Sequence, residues 1–194
     1  MRLRSRGCNV YLLEDERILI DAGTSASIVL KQVSELEGIV ITHAHFDHFA
    51  AAAALQERLG CPVYVHEEDL PYLLGEKKFS YRGVLGAFAK IGEILLRPKP
   101  PKEVRSISEL GIEVIHTPGH TPGHVCVLHD GKLYCGDLLR GGAKLSRREF
   151  CYDYDLYIRS VKSVAALDFD VILPGHGGEV SRKEFEALLA RLEL

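Results

Sequence analysis

The sequence predicts a layered fold of mixed strands and helices, α/β or α+β, with sheet packed under helix. Three observations carry that expectation. Short apolar runs alternate with helical patterns along most of the chain. Some neighbouring runs are close enough to form hairpins. The polar clusters that stand out follow the carboxyl ends of apolar runs.

In chain order, Val10–Leu13 and Ile18–Ile20 flank the polar Glu14-Asp15-Glu16 and predict a hairpin. Ser27–Leu36 has a helical pattern that stops before Gly38, and Gly38–Thr42 reads as a short buried strand. An alanine-rich helix is expected from about His48 to Leu59, with Gly60 as its stop signal. Strands are expected at Pro62–Val65, Ile112–Ile115, Val125–His129 and Lys132–Cys135, the last two joined at Asp130-Gly131. A helix over Tyr154–Leu167, a strand Val171–Leu173 and a helix Ser181–Leu192 complete the series. The stretch 66–105 breaks the rhythm with Pro71, Pro98, Pro100 and Pro101 and an apolar set including Tyr72, Leu73, Phe79 and Leu95. Tyr81, Leu85 and Phe88 at i, i+4, i+7 predict an amphipathic helix there. Extra core, a flap over a site and a dimer face are the three readings of this variable segment.

At 194 residues with 46% hydrophobic and 26% charged, the chain is expected to form one domain with a sizeable core, and a disordered chain is excluded. No apolar stretch is long enough for a membrane span, and the amino terminus turns acidic before any run of signal-peptide length. A soluble, cytoplasmic protein is the expectation. A net charge of -3 offers no global attraction to nucleic acid. The five cysteines, Cys8, Cys61, Cys126, Cys135 and Cys151, are scattered without a CxxC pair, as small buried hydrophobes would be.

The histidines carry the chemistry. Thr42-His43-Ala44-His45-Phe46-Asp47-His48 follows a strand and opens a helix, offering three imidazoles and a carboxylate within six residues. His43 and His45, alternate residues of an extended stretch, project to one side and can reach one ion. Imidazole and carboxylate together suit zinc, manganese or iron. Downstream, Pro118-Gly119 and Pro122-Gly123 bracket His120, fixing its backbone by turns. Gly136-Asp137 and Pro174-Gly175-His176 close two further runs, which brings them to one sheet edge. His66, His116, His124 and His129 fall outside this pattern and are expected to be structural, His116 and His124 hydrogen-bonding around the site.

Together with Asp21, these stations resemble the metallo-β-lactamase fold superfamily of metallohydrolases, from Asp21 to His176 and in the expected order. The resemblance implies an α+β fold, a four-layer αβ/βα sandwich of two mixed β-sheets flanked by helices, with a dinuclear site at one edge. Residue by residue, it implies that His43, His45 and His120 hold a first metal ion and that Asp47, His48 and His176 hold a second. Asp137 would bridge the two, and Asp21 would orient ligands by hydrogen bonds. Two divalent ions are the implied cofactors, with zinc expected and iron or manganese compatible. Asp47 and Asp137 are the expected catalytic carboxylates.

Such a metal pair lowers the pKa of a shared water toward roughly 7. The implied activity is hydrolysis of a small ester, thioester or lactone by a metal-bridging hydroxide. HTPGHTPGH and PGHG are similar to the glyoxalase II and small-hydrolase branch. Only 18 residues follow His176, so the carboxyl-terminal helical domain of glyoxalase II is not expected in this chain. Arg140 and Lys144, just beyond Asp137, are candidate clamps for a carboxylate or phosphate on the substrate, with a solvated basic loop as the plain alternative. The resemblance also implies two alternative activities: a persulfide dioxygenase with one iron at His43, His120 and Asp137, and a phosphodiesterase or ribonuclease. The partner expected is a small molecule, with neither membrane nor nucleic acid, and a homodimer is one expectation for the assembly.

Overall fold

Side chains that alternate along the strands divide the interior into three layers of contact. In the first sheet, Val10, Leu19, Ile39 and Val63 point to one apolar cluster, while their neighbours Tyr11, Ile20, Val40 and Tyr64 point to another. In the second sheet, Val125, Val127, Tyr134 and Leu173 share that other cluster, while Cys126, Leu133, Cys135 and Ile172 turn outward to a third. Two sheets therefore face each other across a common core, and helices cover their outer faces. The computed structural model describes residues 1–80, 83, 86, 87, 91, 94 and 98–192.

The first sheet has the order β1 (Arg2–Leu3), β2 (Val10–Leu13), β3 (Ile18–Ile20), β4 (Gly38–Val40), β5 (Val63–Val65) and β6 (Val104–Ser106). Its first two pairings are antiparallel, including the expected hairpin, with Leu12 opposite Leu19. The pairings from β3 to β6 are parallel. The second sheet contains β7 (Glu113–His116), β8 (Val125–His129), β9 (Lys132–Gly136), β12 (Val171–Pro174) and β13 (Val180–Ser181). There β9 and β12 run parallel and the other pairings are antiparallel. Asp130 and Gly131 both take positive φ, 48° and 66°, the geometry of the tight β8–β9 turn. A small antiparallel hairpin, β10 (Leu139–Arg140) with β11 (Lys144–Leu145), follows β9.

The helices α1 (Ala26–Val29), α2 (Phe46–Phe49), α3 (Ala52–Leu59), α4 (Leu70–Leu73), α5 (Tyr154–Ser163) and α6 (Arg182–Leu192) correct three expectations. The helix expected over Ser27–Leu36 stops early because the Gln32 side chain takes the Ile28 carbonyl at 2.9 Å and also binds both backbone polar groups of Arg4. The helix expected from His48 to Leu59 is two helices. Ala22 and Gly23 donate to the His48 carbonyl, and Ala51 donates to Gly23, so another stretch of chain enters the ladder at the break. The helix expected to reach Leu167 passes into a 3₁₀ turn at Val164–Ala166, where Ser163 Oγ has taken the Ser160 carbonyl. Gly60 stops α3 as expected, at φ 70°.

Tyr72 and Phe79 stack at 4.1 Å and pack on the first core, so this part of the variable segment is core. The helix expected over Tyr81, Leu85 and Phe88 lies outside the described residues, as does Leu95. Cys8, Cys61, Cys126 and Cys135 are buried and Cys151 is half-buried. Among the described residues, no helix is long and apolar enough to cross a membrane.

Candidate metal centre

Parallel pairing puts the carboxyl ends of β3, β4 and β5 at one edge of the first sheet, and those of β9 and β12 at one edge of the second. The two edges are stitched together. Val125 N donates to the Thr42 carbonyl at 2.9 Å, Asn9 N donates to Gly175 at 2.7 Å, and Tyr11 Oη donates to Pro174 at 2.8 Å. Asp21, His43–His48, His120, Asp137 and His176 all emerge at this seam.

Three imidazole nitrogens meet in the buried half. His45 Nδ1 lies 3.2 Å from His43 Nε2 and 3.1 Å from His120 Nε2. A neutral imidazole nitrogen has either one proton or one lone pair, so His45 Nδ1 cannot make a full hydrogen bond to both neighbours at once. Burial, with repulsion from the neighbouring imidazoles, holds His43 and His120 well below the ordinary histidine range, and burial pushes His45 down to about 4. The cluster therefore presents lone pairs, as a cation's ligands must.

The second half combines Asp47, His48 and His176. Asp47 Oδ2 is 3.1 Å from His176 Nε2, and His48 Nε2 is 3.4 Å from His176 Nε2. Burial disfavours charge on His48, but Cys8, Asp21, Asp47 and Asp137 around it outweigh burial and hold its pKa well above the ordinary range. His176 is likewise raised, burial being overcome by its hydrogen bond to Asp47 and by Asp137. This half attracts positive charge, which either protons or a metal cation would supply.

Asp137 stands between the two. Its Oδ1 lies 3.4 Å from His48 Nε2 and 3.5 Å from His176 Nε2, while its Oδ2 lies 3.5 Å from His120 Nε2. Oδ1 is buried without a hydrogen-bond partner among the described residues, an arrangement costly for a carboxylate unless a cation completes it. The nearby imidazoles, led by His48, hold the Asp137 carboxyl well below the usual range against the opposing effect of burial. Donor type, convergence and this unfilled acceptor all fit bound metal. His43, His45 and His120 would hold one ion and Asp47, His48 and His176 another, with Asp137 reaching both.

Further groups hold these side chains in place. Asp21, at φ 59° in a region L-residues seldom adopt, accepts from Thr42 N at 2.8 Å, from Thr42 Oγ1 and from His48 Nδ1 at 2.7 Å. That bond leaves the lone pair of His48 Nε2 facing the cluster. Thr42 Oγ1 also lies 3.1 Å from His43 Nδ1. Tyr157, fully buried on α5, donates to the Leu138 carbonyl at 2.7 Å and accepts from Ser146 N at 2.8 Å, while Ser146 Oγ donates to Asp137 O. A Cβ on Gly119 (φ 124°) would lie 2.1 Å from Tyr157 N, and one on Gly175 would lie 2.6 Å from His48 Cε1, so the site walls close only over glycine.

Asp69, not singled out in the sequence, is fully buried and accepts from Ala44 N at 2.8 Å, Thr121 Oγ1 at 2.7 Å and Gly123 N at 2.7 Å. It thereby locks the loop of His43 and His45 to that of His120. Its sequence signal is weak: Asp69 lies four residues beyond the apolar run Val63–Val65, and the acidic run Glu67-Glu68-Asp69 masks it. Cys8, which the sequence predicts to be a small buried hydrophobe, is buried and also groups its sulfur with Asp21 and His48.

The remaining predicted residues lie around this centre. His124 bonds Thr117 Oγ1 at 2.8 Å and His116 bonds the Pro122 carbonyl, both structural as expected. His66 stacks on His116 at 4.0 Å, and His129 lies against Glu16 and Asp130. Arg140 and Lys144 face each other across the β10–β11 hairpin, whose tip docks beside the site through Gly141 N on the His176 carbonyl at 2.8 Å. Arg140 Nη2 reaches the Leu145 carbonyl at 3.4 Å, and Lys144 is exposed. Phe79 approaches His45 edge-on at 4.7 Å, so the variable segment reaches over the buried half.

Sheets, seam and donor set define a metallo-hydrolase fold, and comparison with known proteins agrees. Residues 3–176 match the model of the metallo-beta-lactamase superfamily, and the chain belongs to that superfamily. A probable metallo-hydrolase of Methanocaldococcus jannaschii, MJ0888, is 30% identical over 68% of this chain and 66% of its own length. The hydroxyacylglutathione hydrolase GloC of Haemophilus influenzae is 27% identical over 84% of this chain and 81% of its own. The crystal structure of TTHA1623 in a di-iron-bound form superposes with a TM-score of 0.76, at 31% identity and 96% coverage of each chain.

Proposed function

We propose that the protein is a hydrolase that holds two divalent metal ions and cleaves a small ester, thioester or lactone. The observation that carries this reading is Asp137, whose two carboxylate oxygens divide between the two donor clusters. When bound, the metal pair supplies Lewis acidity, lowering the pKa of water and polarising the substrate oxygen. The chain's own residues do the rest. Asp21 keeps the His48 ring in the tautomer that presents Nε2. Asp69 sets the spacing of the His43, His45 and His120 rings. Asp47, a quarter exposed, is the carboxylate on the open side, and against the opposing effect of burial His48 and the hydrogen bond from His176 hold it ionised, below its ordinary range. Similarity to GloC favours thioesters within the substrate class, and similarity to di-iron TTHA1623 adds iron beside zinc as a metal to test.

Metal content of the purified protein, measured with a panel of thioesters, lactones and phosphodiesters, tests the reading. Two equivalents of metal and turnover of a thioester, ester or lactone are expected. One equivalent of iron with oxygen uptake on glutathione persulfide would replace the proposal with a dioxygenase, and selective phosphodiester cleavage would replace it with a nuclease-type enzyme.

A further inference from the structure

Beside His176 a cavity of about 630 Å³ opens between two loops, the β1–β2 connection and the turn after β12. Arg2, Arg4, Gly7 and Asn9 line one side, and His176 and Gly177 the other. The antiparallel β1–β2 pair carries its connection to the same sheet edge as the donor clusters. Asn9 staples it there, donating from Nδ2 to the Pro174 carbonyl at 2.8 Å and the Gly177 carbonyl at 2.9 Å.

Leu3 is buried in the first core, so its neighbours Arg2 and Arg4 project to the opposite, exposed face. Arg2 Nη1 lies 3.4 Å from the Gly177 carbonyl across the cavity. Four arginines elsewhere meet carboxylates: Arg17 meets Glu35 and Glu37, Arg105 meets Glu103, Arg148 meets Asp155, and Arg182 meets Glu186. Among the described residues, Arg2, Arg4 and Arg6 have no such carboxylate. A chain of net charge -3 thus keeps unneutralised guanidinium groups at the mouth of its metal centre.

We propose that this cavity binds an anionic group, carboxylate or phosphate, at the end of the substrate remote from the bond that is cleaved, with Arg2 and Arg4 as its recognition residues. Guanidinium forks match both anions in geometry and charge. The inference rests on the hydrolase reading above and narrows it to acidic substrates.

Two thioesters with the same acetyl group separate the outcomes, one of neutral N-acetylcysteamine and one of 3-mercaptopropionate. In the metal-loaded Arg2→Gln/Arg4→Gln variant, the ratio of kcat/KM for the acidic over the neutral thioester is expected to fall at least fivefold, mainly through KM. The wild-type ratio is expected to fall as salt rises. An unchanged ratio with both thioesters still hydrolysed overturns the inference and leaves the hydrolase reading standing. If neither thioester is turned over, calorimetric titration with succinate and with methyl phosphate decides the subsite by itself. At least fivefold weaker binding of either anion to the variant supports it and shows which anion is preferred, whereas equal binding overturns it. Both arginines are exposed and outside the core, so an unchanged thermal midpoint is expected, with Arg4→Lys as a variant that keeps the charge.

Discussion

His43, His45 and His120 are sealed from solvent, whereas His176 is about a third exposed and Asp47 a quarter. The sealed half holds three neutral imidazoles whose positions are set by the loops around Asp69 and Thr42. The open half mixes carboxylate and imidazole, draws positive charge, and borders the arginine-lined cavity. Geometry in the first half is a consequence of folding. Affinity and access in the second are where exchange with solvent and substrate can occur. If that contrast is right, substitutions in the two halves should differ in kind as well as in size.

Asp137 belongs to both halves, and its loss should have the largest effect. Asp137→Ala is expected to lower kcat/KM by about 10³-fold or more and to reduce metal content, because it removes a carboxylate that faces both clusters. Activity assays and metal analysis on the same sample check this, and a fully active variant would remove the bridging role.

Next comes a direct comparison of the halves. His120→Gln should cost stability as well as metal, since it disturbs a packed, buried cluster. His176→Gln should lower metal affinity by at least about tenfold, the lower end of what losing a group that only supports a ligand costs, with little change in thermal midpoint, since its ring is partly in solvent. Competitive chelator titrations alongside melting curves measure both. Equal loss of stability in the two variants would erase the distinction.

How much of this was legible beforehand follows the same division. The donors could be read from the sequence because each ends an apolar run, and the run's strand type puts it at a known edge. Asp137 after Lys132–Cys135 and His176 after Val171–Leu173 are examples. Positioning groups were harder. Asp69 ends the acidic run Glu67-Glu68-Asp69, which reads as a solvated face, and only the fold reveals that two backbone N–H groups and a hydroxyl converge on it. Strands β1, β10, β11 and β13 are two residues long and exist through their partners, so no local periodicity marks them. The break between α2 and α3 was hidden for a related reason: the groups that cause it, Ala22 and Gly23, lie more than twenty residues upstream.

Asp69 supplies the third test. Asp69→Ala leaves the buried N–H groups of Ala44 and Gly123 without acceptors, at about 1–3 kcal/mol each. Asp69→Asn keeps the side-chain shape and one carbonyl acceptor and should recover part of that loss. Chemical denaturation gives the stabilities, and the metal content of the folded fraction shows whether the sealed half has loosened. If Asp69→Ala were as stable and as metal-replete as wild type, the sealed cluster would not depend on this carboxylate.

The smallest expected effect concerns the β10–β11 hairpin. Arg140 and Lys144 are directly paired in register, an arrangement that like charges disfavour unless an anion lies near. Arg140 Nε is buried without a partner among the described residues, so one donor is unused, and Gly141 ties the hairpin backbone to His176 in the open half. Arg140→Ala is therefore expected to raise KM for an acidic substrate about three- to tenfold, the range of a contact worth roughly 1 kcal/mol, with kcat little changed. A neutral substrate should be affected less. Because the hairpin touches the His176 carbonyl and Arg2 of the cavity the Gly177 carbonyl, combining Arg140→Ala with Arg2→Gln/Arg4→Gln distinguishes one anion site from two. Additive changes in log KM indicate separate sites, and a combined effect no larger than either alone indicates that both sets of cations grip the same charge.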